Sequence, residues 1–288
     1  MTAVFRHELS SYFKSVSGYV FGAFLLLFAG IYTTDINLNA GLTNFEYVLD
    51  YMCIIFLIIV PILTMRVVAE ERRQRTDQLL YSLPLTMTEV VLGKYGALLV
   101  VFLAPMAVIG VYPLILSAFG NVYLPAAYSA WLGFFLLGAA LLAIGMFISS
   151  LTESQAVAAG LCFVVMLVNY FITSLAGFIS TTAFASFASF TVVILALAGI
   201  VWFMTRSGLA SGVLALVLEA VLLFFYAGDT SAFEGLFPEV MENLSLFDQF
   251  YQFVNGLFDL RAVVYLLSVS GLFLFLTVQS LEKRRWSE

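Results

Sequence analysis

Eight apolar runs constrain this chain more than any other feature of its sequence. A hydrocarbon core about 30 Å thick takes about 20 helical residues to cross. Runs of that order occur at 17–34, 50–69, 90–117, 125–150, 156–177, 187–204, 209–227 and 261–280. Only 10% of the residues are charged, which is too few to wet the surface of a soluble domain of this size. The sequence therefore predicts an all-α polytopic membrane protein with about eight transmembrane helices, forming one domain over residues 1–288.

The two runs 187–204 and 209–227 leave an alternative open. Only residues 205–208 separate them, and the first run is short for a full crossing. Six spans plus a re-entrant hairpin would also fit the hydropathy pattern.

The distribution of the basic residues predicts the orientation in the membrane. Cytoplasmic loops of membrane proteins carry an excess of Lys and Arg. Placing the N-terminus inside puts eleven of the twelve basic residues on the cytoplasmic side and leaves only Arg261 outside. Both termini are therefore expected to be cytoplasmic.

Residues 1–16 are too polar to cross the membrane and are expected to form a helix in its inner interface. One helical stripe is polar and another is apolar, which is typical of an interfacial helix. The polar stripe contains Arg6, Ser10 and Lys14, and the apolar stripe contains Phe5, Leu9, Tyr12, Phe13 and Val16. A basic start before an apolar run is also typical of a signal peptide. Because no small-x-small cleavage pattern closes the run 21–31, we interpret it as an uncleaved first span.

The chain lacks the sequence patterns of a catalytic protein. It contains no phosphate-binding loop, since the Gly-Lys pair at 93–94 is not followed by Ser or Thr. His7 is the only histidine, which excludes His-rich metal sites and His-based triads. No basic patch with interleaved aromatic residues indicates nucleic-acid binding. Cys53 and Cys162 fall in apolar runs near opposite membrane faces, so two buried thiols are expected.

Two turn signals mark expected helix starts. Thr86 with Glu89, and Thr152 with Gln155, have the spacing of a capping box. They are predicted to open the third and the fifth span.

The cytoplasmic loop at residues 70–89 is the most informative polar segment. Thr76 can cap a short helix, with Asp77 favourable at its positive end. The apolar side chains that follow would form one face of this helix, and Pro84 would end it; they are Leu79, Leu80 and Leu83. Such a helix is suited to docking in a groove of a partner. The alternative is an ordinary solvated loop that sets topology through its positive charge.

The pattern of this loop resembles the first cytoplasmic loop of type-2 ABC exporter permeases. That loop shows an acidic pair, a Thr-x-x-Leu-Leu helix, a Pro, and a Gly-Lys that opens the next span. Here the corresponding residues are 70–73, 76–80, 83–84 and 93–94. Residues 256–261, followed by a last span and a basic end at 282–286, resemble the gliding-motility branch of that family.

The resemblance implies that the loop helix is a coupling helix seated in a separate ATPase subunit. The ATPase-coupling residues would be Glu70, Glu71, Arg72, Arg73, Thr76, Asp77, Gln78, Leu79, Leu80, Leu83 and Pro84. The expected assembly contains two copies of the ATPase, a second permease of the same or a different chain, and the lipid bilayer. ATP and magnesium would be bound by the ATPase, with no cofactor in this chain. The expected location is the plasma membrane of a bacterium.

Two polar residues fall inside apolar runs beyond the region that the resemblance covers closely. Glu219 lies near the middle of its run, where an ionised carboxylate is costly and must face the bundle interior, a partner or water. It is either a gate or substrate contact or a hydrogen-bonded carboxyl that fastens two helices. For Asn169, in the fifth run, the structural interpretation is favoured. Because family members usually have six spans, no residue role beyond about residue 180 is transferred.

The predicted outer segment, residues 228–260, is acidic and aromatic at once. Spacings such as that of Phe247, Phe250, Tyr251 and Val254 predict amphipathic helices at the outer interface. They would form a lid, a dock for an extracellular partner, or a plain connector on the surface.

Three functions are compatible with these patterns. The first is an ABC permease subunit that couples ATP hydrolysis by a partner to export of an unidentified substrate. The second is a membrane scaffold that transports nothing and uses the same ATPase to act on an envelope complex. A secondary transporter ranks last, because no paired repeat with broken helices is found.

Overall fold

The computed structural model describes residues 1–74, 86–205, 208–256 and 258–285, and these residues form helices and connecting turns without a strand. Seven of the described helical segments are long and apolar enough to cross a membrane: Gly18–Asn39, Glu46–Gln74, Met87–Ser117, Leu124–Leu151, Gln155–Ala176, Ser211–Gly228 and Leu260–Arg284. The remaining predicted run, 187–204, lies in a further apolar helix, Ala183–Thr205, which is 23 residues long. The all-α polytopic fold is thereby confirmed.

The α-helices are numbered in chain order. They are α1 (Thr2–Lys14), α2 (Val16–Tyr32), α3 (Glu46–Met52), α4 (Phe56–Thr64), α5 (Ala69–Gln74), α6 (Met87–Ile109), α7 (Tyr112–Ser117), α8 (Leu124–Leu151), α9 (Gln155–Ala176), α10 (Ala183–Thr205), α11 (Gly208–Gly228), α12 (Leu236–Leu244), α13 (Leu246–Val254) and α14 (Leu260–Arg285). The chain divides into two compact units: unit 1, Met1–Val168 with Gln249–Glu288, and unit 2, Asn169–Asp248.

Helix α8 is the central helix of unit 1. It packs against α3, α4, α6 and α14, and 78% of its membrane-spanning window is buried, against 28% for α14. Three glycines allow the close approach: a Cβ at Gly133, Gly138 or Gly145 would collide with a neighbouring aromatic or threonine side chain. Small residues at such crossings let membrane helices come together through van der Waals contact.

The second span is assembled from several pieces. A 3₁₀ turn, Cys53–Ile55, joins α3 to α4, and Pro61 lies inside α4. Four turn residues, 65–68, then lead into α5. Both cysteines are buried thiols as expected, and the sulfur of Cys162 lies 3.9 Å from the hydroxyl of Thr64.

The N-terminal helix is a separate element, and one of its faces packs inside the protein. The backbone of Ser15 is extended, which interrupts the helical conformation between α1 and α2. The buried residues of α1 are Val4 and Tyr12, whereas Phe13 and Val16, which we placed on the apolar stripe, are 44% and 75% exposed. The buried face of α1 is the one that packs on α6. The same face carries the carboxylate of Glu8, which is described below.

Met1 and the described end of α14 lie at one end of unit 1. The N-terminal ammonium is 3.6 Å from the Glu89 carboxylate at the start of α6. Near the other terminus, Arg284 lies 3.3 Å from Glu153, between α8 and α9. We call this the loop end, because α5 and the start of α6 lie there too. Met1 and Arg284 thus lie on one side, in agreement with the prediction for the termini; the cytoplasmic assignment of this side stays a prediction.

Unit 2 is built on a hairpin of α10 and α11. Aromatic contacts hold the following segment against it: the ring centroids of Phe190 and Phe237 lie 4.9 Å apart, and those of Tyr226 and Phe233 lie 5.3 Å apart. Gly235 has φ of +71°, which a residue with a side chain rarely adopts, and its N–H donates to Thr181 O at 2.8 Å. Helices α12 and α13 occupy the segment predicted to contain amphipathic helices.

Candidate functional site

The predicted coupling residues fall into two groups. Glu70, Glu71, Arg72 and Arg73 lie in α5. The others lie outside the residues that the structure describes; they are Thr76, Asp77, Gln78, Leu79, Leu80, Leu83 and Pro84. The short loop helix therefore stays a prediction, and the structure defines the framework from which this loop departs and to which it returns.

Hydrogen bonds to one serine at the end of α8 fix the position at which α5 begins. The hydroxyl oxygen of Ser149 is buried and accepts hydrogen bonds from the backbone N–H groups of Val68 and Ala69, at 3.3 and 3.2 Å. It also donates to the carbonyl of Met65 at 3.3 Å. A side chain of α8 thus supplies hydrogen-bond partners to backbone N–H and carbonyl groups at the turn between α4 and α5. The path of the chain into the loop is fixed by its backbone.

The four described coupling residues differ in burial and in their partners. Arg72 is 5% exposed, and the side chain of Glu71 is 23% exposed. Arg73 is exposed, and Glu70 accepts a hydrogen bond at 3.3 Å from Gln74 on the surface of the same helix. The two members of the acidic pair thus have different partners, Lys94 for Glu71 and Gln74 for Glu70.

Lys94, on α6, is the charged centre of the loop end. It is 2% exposed, and its ammonium contacts the carboxylates of Glu8 at 2.7 Å and Glu71 at 2.5 Å. It also donates to the carbonyl of Val67 at 3.1 Å. A buried ammonium requires such partners, because the cost of removing it from water is several kcal/mol. We call Lys94, Glu8 and Glu71 the lysine cluster.

The lysine cluster joins three elements that are separate in the chain. Glu8 belongs to α1, Glu71 to α5 and Lys94 to α6. Gly93 makes the close crossing possible, since a Cβ there would lie 3.2 Å from the Cβ of Val4. On the same face of α1, burial raises the pKa of Tyr12, and the nearby carboxylate of Glu8 acts in the same direction. A displacement of α5 therefore acts directly on α1 and α6.

The start of α6 is capped as predicted, whereas the start of α9 is capped by a different residue. Thr86 and Glu89 form the full reciprocal capping box. At α9 the helix begins at Gln155 and the hydroxyl of Ser154 accepts from the N–H of Val157 at 3.5 Å. Thr152 instead accepts from the N–H of Ser154 at 3.2 Å. The predicted second box was wrong, because the turn moves the cap by two residues.

The side chain of Asn169 fixes the junction between α12 and α13 within unit 2. Its amide nitrogen donates to the carbonyl of Leu244 at 3.1 Å, and its amide oxygen accepts from the N–H of Leu246 at 3.0 Å. One side chain thus satisfies an acceptor and a donor on either side of Ser245. This contact is of the kind that the structural interpretation of Asn169 expects.

Glu219 lies inside the α10–α11 hairpin. It is partly buried, and its carboxylate accepts a hydrogen bond from the hydroxyl of Thr191 at 3.5 Å. The contact joins the two helices of the hairpin near their middle. It agrees with a carboxyl that fastens two helices, while a role as a gate or substrate contact stays a prediction.

Sequence reasoning missed Glu8 and the function of Lys94. A signal for Glu8 was present: it lies four residues from both Val4 and Tyr12, so all three share one helical face. A lysine eight residues into α6 also had to be paired, because a charge at that depth is costly. Which carboxylate it meets depends on tertiary contacts across 86 residues.

The comparison with protein families agrees with this architecture. Residues 9–260 match the family model described as "ABC-2 family transporter protein". The match covers most of the chain, so the chain belongs to the ABC-2 transporter family. Members of this family are membrane domains, permeases without ATPase activity of their own, and membership implies an ATPase partner. No curated protein and no solved structure shows a significant match to the chain.

Proposed function

We propose that this chain is the permease subunit of an ABC exporter and that its loop at residues 75–85 receives the force of ATP hydrolysis. The ATPase, in two copies, binds ATP and magnesium and seats the apolar face formed by Leu79, Leu80 and Leu83. The lysine cluster supports this proposal, because it ties the residues preceding the loop to α1 and to the helix that follows the loop.

The loop end provides a short mechanical path. When the ATPase pair closes on ATP, the loop moves as a body and carries α5 with it. Two contacts connect α5 to the rest of unit 1 during this motion. Ser149 contacts the backbone of α5, and Lys94 contacts its Glu71 side chain. Helix α6 runs from Met87 to Ile109 with Pro105 in its last two turns, so movement at its first turns is passed along the helix as far as this proline.

The second permease subunit and the cellular location are proposed from the sequence pattern. Residues 256–261 and 282–286 resemble the gliding-motility branch, which favours a partner permease of a different chain. The excess of basic residues at the termini and the loop favours a cytoplasmic position for the loop end. The location that follows is the plasma membrane of a bacterium.

The matched pair Glu70 and Glu71 tests the path. We expect Glu71→Gln, which removes one charge from the lysine cluster, to leave the ATPase bound while lowering permease-stimulated ATP turnover in vesicles. The coupling loss should be about 0.5–2 kcal/mol, the range for residues along a coupling network. Glu70→Gln is the matched comparison, because Glu70 lies on the same helix but contacts Gln74 instead of Lys94. Equal turnover in both variants and the wild type would remove Glu71 from the path.

The same vesicles distinguish an exporter from a scaffold. An exporter accumulates a compound across the membrane in proportion to ATP hydrolysed, and its turnover rises with that compound. A scaffold would keep the turnover and the ATPase contact but move nothing, whichever extract of candidate compounds is supplied.

A further inference from the structure

A cavity of about 600 Å³ lies at the end of unit 1 opposite the loop end. It is formed between the π-helical turn Thr33–Asn39, which continues α2, and the first turns of α3. Helix α2 rises about 26 Å over its 17 residues, which separates the cavity from the lysine cluster. The volume falls in the range of small-molecule binding sites, about 300–1,000 Å³.

The lining of this cavity combines negative charge with aromatic surface. Its walls include the carboxylates of Asp35 and Asp50, the rings of Tyr47 and Tyr51, and the amide of Asn39. Among the described residues that line it, none is basic. The two carboxylates would repel an anion, and a neutral ligand would leave their negative charge uncompensated.

Contacts behind the cavity hold its walls in place. Tyr251 donates a hydrogen bond to the carboxylate of Asp50. The ring of Tyr51 stacks on that of Tyr32, with centroids 5.9 Å apart and planes inclined by 25°. Asp35 lies on the π-helical turn, a local widening that is frequent at functional sites. Both kinds of recognition group, carboxylate and ring, are thus placed before a ligand arrives.

We propose that this cavity binds an organic cation, a quaternary or protonated amine of small-molecule size. A carboxylate compensates the charge, and the face of a tyrosine ring attracts a cation through its quadrupole. A bare divalent ion would need six or more oxygen ligands at short range and would leave the rings unused. The site goes beyond the proposed coupling function, because binding requires neither ATP nor the ATPase.

The test is equilibrium binding of benzyltrimethylammonium to the permease in nanodiscs of zwitterionic phosphatidylcholine, without ATP, by isothermal titration calorimetry. We expect saturable binding that is weakened about fivefold by Asp35→Asn and by Asp50→Asn, the loss of a partly screened charge contact. Tyr51→Leu should weaken it about two- to fivefold, and Tyr51→Phe much less, since phenylalanine keeps the ring face.

Two controls make the test specific. Glu239→Gln removes one carboxylate from the exposed face of α12 and should leave the affinity unchanged. An uncharged aromatic alcohol of similar size should bind at least tenfold more weakly than the cation. Asp35 is exposed, so its substitution tests the site even where Asp50→Asn impairs folding. The proposal is overturned by absence of saturable binding, by equal binding of the alcohol, or by wild-type affinity in folded Asp35→Asn protein. The outcome of this binding test is independent of the coupling test at Glu71, because binding is measured without ATP or the ATPase.

Discussion

The loop end of unit 1 and the polar contacts of unit 2 solve the same problem with different chemistry. Both must hold polar side chains among apolar helices. Unit 1 uses full charges, with the ammonium of Lys94 between two carboxylates, whereas unit 2 uses the neutral amide of Asn169 and one long hydrogen bond to Glu219. Charges left unpaired by a substitution cost far more than a lost neutral hydrogen bond. The loop end should therefore tolerate change least.

The largest effect is expected from removing the ammonium. Lys94→Met leaves two neighbouring carboxylates without their cation, and breaking a buried pair costs about 3–5 kcal/mol. We expect about 3 kcal/mol here, because Glu71 keeps 23% exposure. The measurement is the thermal unfolding midpoint of purified permease in detergent.

A rescue experiment separates charge from packing at this position. Adding Glu8→Gln and Glu71→Gln to Lys94→Met removes the unpaired charges, so the triple variant should regain part of the lost midpoint. If the triple variant is less stable than the single one, the ion pairs do not determine the stability of the loop end.

A smaller effect is expected at Asn169. Asn169→Ala removes both contacts to the junction of α12 and α13 and should destabilise it by about 1–3 kcal/mol. The measurement is hydrogen exchange at the N–H of Leu246, which should become faster. Asn243→Ala, an exposed neighbour on α12, is the matched control; faster exchange in the control as well would mean that the junction is not held by Asn169.

The smallest effect is expected at Glu219. Glu219→Gln keeps an oxygen that accepts from Thr191, so a fastening role predicts a stability change within about 0.5 kcal/mol and an unchanged transport rate. Glu219→Leu removes the acceptor and should loosen the hairpin. A transport rate that falls in the glutamine variant while assembly is intact would instead place Glu219 in a path or gate.

These contrasts also show what the sequence could predict. Helix positions follow from run length, because crossing the bilayer demands it, and the capping box of Thr86 and Glu89 is a purely local signal. The buried face of α1 could not be assigned in the same way. Its choice of Val4, Glu8 and Tyr12 depends on a lysine 86 residues away from Glu8, and nothing in the N-terminal segment alone reveals that partner.

Helix α10 illustrates a second limit. Hydropathy predicted an apolar helix at 187–204, and residues 183–205 form one helix of 23 residues. Hydropathy does not show which neighbour such a helix also contacts, as Ser186 does when its hydroxyl accepts a hydrogen bond from the N–H of Phe237 at 3.3 Å.

The central claim is that the loop after α5 is the contact with the ATPase, and one measurement tests it most directly. The double variant Leu79→Glu with Leu80→Glu charges the proposed docking face, and the amount of ATPase that co-purifies with membrane-inserted permease is then measured. The account predicts normal insertion with loss of the ATPase and of its turnover. Stoichiometric ATPase with normal turnover would contradict it.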